Sequence, residues 1–139
     1  MTAPDRVPKS QQDHDREVCR LAKRYSAQPI WSSCADVTSR VELPTFTYAN
    51  ENYEPDVFLS QVAPQGETKP VDWVFEIETS ESVNIDHTRY QLSSFAEYAK
   101  KKEARIIVLV PPQDVEQMKA TLKDWGLANV VVHPWGWPD

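Results

Sequence analysis

No stretch of this 139-residue chain stays apolar for longer than Ile106 to Val110, far short of the ~20 residues a membrane-spanning helix needs. The N-terminus also lacks the basic-then-apolar pattern of a secretion signal, so a cytoplasmic protein with no membrane association is expected. Positive charge is in deficit: fifteen Lys and Arg against twenty-one Asp and Glu give a formal net charge of -6. The chain as a whole is therefore repelled by nucleic-acid phosphate, and any contact with it must come from local basic patches or bound cations. Cysteine is scarce. Cys19 and Cys34 are the only two, without a Cys-x-x-Cys pair or the clustered histidine of a structural zinc site, and they read as free thiols in a reducing compartment. His14, His87 and His133 are scattered without ligand spacing and receive no role. Internal repeats and low-complexity segments are absent.

What is present is globular. Hydrophobic residues make up 40% of the chain and charged residues 26%, and five tryptophans argue against disorder. The length suits one core and is too short for two ordinary ones. Residues 1–12, with prolines and charges but no apolar period, read as a flexible tail, and residues 13–139 as a single domain.

Along that domain, Val18, Leu21, Ala22 and Tyr25 recur at spacings of three and four, which predicts a helix from Asp13 or His14 to about Tyr25. Pro29 ends it, and Ile30–Val37 and Ser39–Leu43 have the β-branched and aromatic content of strands. Residues 44–55 are polar and aromatic by turns, a strand leading into a loop without clear boundaries. Asp56–Val62 and Val71–Thr79, joined by a segment rich in glycine and proline, predict an antiparallel hairpin. A helix from about Asp86 to Lys102 follows, with Thr79–Ser82 supplying capping residues, then a strand at Arg105–Val110, a helix through Val115, Met118, Leu122 and Trp125, and a last strand at Asn129–His133. Strand, helix, strand with apolar strands implies parallel neighbours covered by helices, hence an α/β fold. Trp31, Trp73 and Trp125 fit core positions, whereas Trp135 and Trp137 could cover a sheet edge or form a partner surface.

The most informative stretch is Glu54 to Glu81. On an extended strand Trp73, Phe75 and Ile77 point one way while Val74, Glu76 and Glu78 point the other, which sets two carboxylates about 7 Å apart on one face at ~3.3 Å per residue. Hairpin geometry brings Asp56 to the same place, so three acids are expected to converge. Like charges on a strand marked as buried are costly unless a cation or a hydrogen-bond network compensates. A metal site is one solution; a solvated acidic face that protects an edge strand is the other.

Pro55-Asp56, a nineteen-residue gap and Glu76-Ile77-Glu78, set between an N-terminal helix and a later helix and strand, resemble the PD-(D/E)xK nuclease superfamily. Within it the chain is most similar to the small Holliday-junction-resolvase-like and RecB-type nuclease domains. The resemblance covers residues 14 to 135 as an element order. It implies a restriction-endonuclease-like α-β-β-β-α-β core, a mixed central sheet flanked by helices. It also implies that Asp56 and Glu76 hold Mg²⁺ or Mn²⁺ with a carbonyl oxygen from Ile77, that Glu17 matches a helix glutamate supporting the metal or its water, and that Gln91 matches the helix glutamine. Glu78 departs from the pattern, which has lysine there to orient the attacking water and stabilise developing charge. Glu78 could act as the base or bind a second cation, or Lys100, Lys101 or Lys102 could replace the lysine from a helix.

The resulting expectation is a divalent-metal-dependent DNA endonuclease with Asp56, Glu76, Glu78 and Gln91 at its site, working as a homodimer or with a larger protein partner. The rival expectation is a nuclease-like fold without catalysis, kept as a nucleic-acid- or protein-binding module. An acidic metal-binding protein unrelated to nucleic acid is a third.

Overall fold

In the computed structural model the described residues are 8–37 and 44–138. The first helix, α1 (Pro8–Arg24), starts earlier than its apolar period suggests. Residues 8–12, expected within the tail, are helical, and proline is well tolerated in the first turn of a helix; residues 1–7 lie outside the described residues. Strand β1 (Ile30–Ser32) is shorter than the Ile30–Val37 expected, and the strand expected at Ser39–Leu43 lies outside the described residues. The segment whose boundaries the sequence left open forms a hairpin of β2 (Phe46–Tyr48) and β3 (Glu51–Tyr53). Its turn residues Ala49 and Asn50 both have positive φ, 52° and 64°, matching the twist that two-residue hairpins require.

The remaining elements follow the predicted order: β4 (Val57–Val62), β5 (Val71–Ile77), α2 (Asp86–Lys101), β6 (Ala104–Val110), α3 (Val115–Asp124) and β7 (Val130–Pro134). The main sheet runs β1-β4-β5-β6-β7. Its first three strands are antiparallel, and β5, β6 and β7 are parallel, so the fold is α/β with a mixed central sheet.

Each sheet face has its own apolar layer. Val18, Leu21 and Ala22 of α1 pack with Val57, Leu59, Phe75, Ile77, Ile107 and Leu109. Leu92 and Phe95 of α2, with Met118 and Leu122 of α3, pack with Phe58, Val74, Ile106, Val108 and Val110 on the opposite face. Phe46 closes this second layer by setting its ring edge-on to Phe95 and Tyr98. Strand β5 is thus covered on both sides, and a solvated acidic edge at Glu76 is ruled out by its position between β4 and β6. Trp31, Trp73 and Trp125, expected inside, are half-buried at the margins of these layers.

The cysteine reading is overturned. Cys19 on α1 and Cys34 beyond β1 form a disulfide, with Cα atoms 5.1 Å apart, within the span such a bridge needs. The argument from free thiols to a reducing compartment falls with it. Among the described residues no helix is long and apolar enough to cross a membrane.

Candidate functional site at one end of the sheet

Asp56 stands immediately before β4, beside the end of β5. Its backbone N–H donates to the Phe75 carbonyl at 3.1 Å, and its carbonyl accepts from the Ser33 N–H at 3.2 Å. Asp56 lies one position outward from the Val57–Phe75 pair of the antiparallel β4-β5 register. Its side chain, 15% exposed, accepts at Oδ2 from the Ile77 N–H at 2.8 Å and faces His14 Nε2 at 3.2 Å. Gln91, buried on α2, donates from Nε2 to the Glu54 carbonyl at 3.1 Å and so braces the two residues leading into Asp56.

Glu76 and Glu78 are 3% and 1% exposed. One oxygen of each, Glu76 Oε1 and Glu78 Oε2, accepts no hydrogen bond, although both side chains have other interactions. The environment of Glu78 is the better defined. Its Oε1 accepts from Ser82 Oγ at 2.5 Å and Thr88 Oγ1 at 3.3 Å, its N–H donates to the Leu109 carbonyl at 2.9 Å, and its carbonyl accepts from Trp135 Nε1 at 3.1 Å. Strand β5 ends at Ile77, so the alternation used to aim Glu78 no longer applies there. Thr79–Ser82 does not cap α2, which begins four residues later; it forms a turn whose Ser82 hydroxyl serves Glu78. Among the described residues no group of three or more His, Cys, Asp and Glu is found that could hold a metal ion.

Glu17 is held between Arg20 and the C-terminal turn. Its oxygens take both ends of the Arg20 guanidinium, at 2.9 and 2.6 Å, and Oε2 also accepts from the Gly136 N–H at 3.0 Å. Arg20 reaches on to the Trp137 carbonyl at 2.7 Å. This pair ties the C-terminal turn to α1, which is how Trp135 and Trp137 come to cover the end of the sheet. His133 of β7 stacks on Trp137 of that turn at 4.4 Å, and burial, with Lys119 nearby, pushes its pKa down.

The lysines 100–102 are excluded as stand-ins for the missing lysine. Helix α2 starts near the carboxyl end of β5 and is sixteen residues long, so its C-terminus lies about 24 Å away at 1.5 Å per residue. All three are exposed, and Lys100 pairs with Glu97 at 3.3 Å. At that far end Asp72, another buried acid of β5, accepts from Gln61 and Tyr98, and burial together with Asp72 pushes the Tyr98 hydroxyl pKa up.

The residue that sequence reasoning passed over is His14. It is 4% exposed, faces Asp56 through Nε2 and sits 2.9 Å from Asp15 Oδ1 through Nδ1. Forty-two positions separate it from Asp56, so no local spacing announces the pair. A cavity of about 410 Å³ opens over them, lined by His14, Asp15, Glu54, Asp56 and the Cys19–Cys34 bridge. A second, of about 280 Å³, lies beside the α1 start, lined by Asp13, Thr79, Ser80, Pro111 and Trp135. Together they flank α1 at the end of the sheet where the parallel strands finish, the place where open α/β sheets bind ligands. Compared with protein-family models, with curated proteins and with solved structures, the chain matches none.

Proposed function

We propose that this protein is a divalent-metal-dependent phosphodiesterase of PD-(D/E)xK type acting on DNA, built on a restriction-endonuclease-like core of α1, β1, β4, β5, α2 and β6. The observation that carries the reading is Asp56 held at the end of β5 across the β4-β5 pair, its Oδ2 accepting from the Ile77 N–H at 2.8 Å next to Glu76 in the chain. The donor set fits the ion. Mg²⁺ and Mn²⁺ take hard oxygen ligands, and Mg²⁺ commonly uses one or two protein carboxylates with water and substrate phosphate completing the shell, so a pair of acids suffices. When bound, the cation would polarise the scissile phosphate and lower the pKa of its water.

The chain's own residues divide the remaining work. Asp56 is oriented by Ile77 and His14, while Gln91 fixes the backbone that delivers it. Glu76 brings its carboxylate from a strand held on both sides, which keeps its position stiff. Glu78 supports the turn into α2 and is not assigned as the base.

The test is cleavage of labelled linear duplex, single-stranded and four-way-branched DNA with Mg²⁺ or Mn²⁺, comparing wild type with Asp56→Asn and Glu76→Gln. Both substitutions should cost at least ~10²-fold in rate, the scale of losing one electrostatic contact to the transition state, while circular dichroism shows the fold retained. Full activity in both variants removes the reading.

One observation favours a second reading, a non-catalytic binding module working with a protein partner. The position where the nuclease pattern has lysine holds a glutamate bound to Ser82 and Thr88, and therefore supplies no positive charge. On this reading wild-type protein shows no metal-stimulated cutting and elutes as a stable complex with its partner.

A further inference from the structure

We propose that the outer edge of β7 is a docking site for an extended acidic peptide, which pairs with it as a further strand of the main sheet beside α3. Strand β7 stands at the end of the strand order, with β6 on one side only. Backbone groups alternate in direction along a strand, and two hydrogen bonds fix the phase here. The Trp135 N–H donates inward to the Val110 carbonyl at 2.8 Å, whereas the Val130 N–H turns away from β6 to the Leu127 carbonyl at 3.2 Å. By that alternation Val132 directs both its N–H and its carbonyl to the outer edge, and Pro134, which has no N–H, closes the pairing segment.

A groove of about 600 Å³ runs along this edge, with Leu122, Leu127, Val130 and Val132 as its apolar lining and Lys119 and Lys123 of α3 beside them. On the other face of the strand Val131 is 44% exposed, so both flanks are open to a neighbour. The two lysines select the occupant. Lys123 has no ion-pair partner among the described residues, and Lys119 meets the exposed Glu116 at 3.4 Å. Four positions apart on a helix, they stand about 6 Å from one another along the axis, close to the ~6.6 Å between same-face residues of a strand. Two alternate carboxylates of an added strand therefore match them, with an apolar side chain of the same face over the groove floor. A second copy is disfavoured by the same charges, because a two-fold pairing of β7 with β7 sets both α3 helices on one face, lysines against lysines.

The experiment titrates the isotopically labelled full chain with the peptide Val-Thr-Glu-Thr-Glu-Thr-Val, and with its twin carrying lysine for glutamate, at low salt, followed by nuclear magnetic resonance. The acidic peptide should move the Val132 amide resonance and slow its exchange with solvent, and the lysine twin should bind at least ~10-fold more weakly. Lys123→Glu, a change at an exposed position, should weaken the acidic peptide by ~10-fold. Val132→Pro removes the outward N–H and spares the bonds to β6, and should cost ~10-fold as well. An acidic peptide that leaves the wild-type Val132 amide unmoved overturns the proposal, as does equal binding of the two peptides; neither outcome needs a variant to fold. Concentration-dependent protection of Val132 without peptide would make a second copy the occupant and overturn it too. Strands β5 and β6 separate β7 from β4 and Asp56, so none of these results touches the phosphodiesterase reading.

Discussion

A carboxylate that is 1% exposed must be met by donors, and Glu78 is met by the hydroxyls of Ser82 and Thr88. An ammonium placed there would face two hydroxyls already directed at an acceptor, inside a layer with little water. Glu78→Lys, which would restore the nuclease pattern, should therefore not raise activity and should cost about 3–5 kcal/mol of stability, the scale of leaving a buried charge without its partner. Glu78→Gln keeps an acceptor oxygen and should cost about 1 kcal/mol. Urea denaturation of the three proteins decides this; a lysine variant as stable as wild type would show that the Ser82–Thr88 network does not hold the position. Residue identity alone marked Glu78 as the departure from the pattern. Its commitment to the turn, like the contact of His14 with Asp56, depends on groups brought together by folding and could not be read from spacing.

The bridge between α1 and the segment after β1 closes a loop of fifteen residues in sequence separation. Loop-closure entropy predicts about 3 kcal/mol of stabilisation for a loop of this size. Cys34→Ser should lower the folding free energy by about that amount, and dithiothreitol should do the same to wild type but not to the variant. Equal melting temperatures with and without reductant would show that the bridge does not form. Among the elements, α2, β6, α3 and β7 were legible because each has a clear apolar period bounded by proline, glycine or charge. The start of α1 was not, because residues 8–12 carry no apolar period that would signal a helix. The β2-β3 hairpin was missed for a related reason: its strands are three residues long, and it is held by Phe46 against Phe95 and Tyr98 of a helix far along the chain.

Across the whole molecule, the acids and the lysines occupy opposite ends of the sheet. Asp56 lies beside the end of β5, whereas Lys100–Lys102 follow α2 to the other end, about 24 Å along the helix and well beyond the ~8 Å screening length at physiological salt. On the phosphodiesterase reading, replacing all three lysines with alanine should accordingly leave Mn²⁺ affinity within about twofold of wild type, measured by isothermal titration calorimetry. A larger loss would place the lysines near the cation and contradict the separation.

By itself the sequence determined the class of fold, because apolar period and punctuation dictate which segments are helices and strands, and apolar strands between helices dictate parallel pairing. It also determined that the β4-β5 hairpin would bring Asp56 beside the end of β5, since an antiparallel return reverses the order of positions. Only the tertiary structure decided that Cys19 and Cys34 bond, that Glu17 pairs with Arg20, that Glu78 serves the turn into α2 and that His14 reaches Asp56. Each of those depends on how one element is rotated and seated against another, which packing sets and local spacing leaves open.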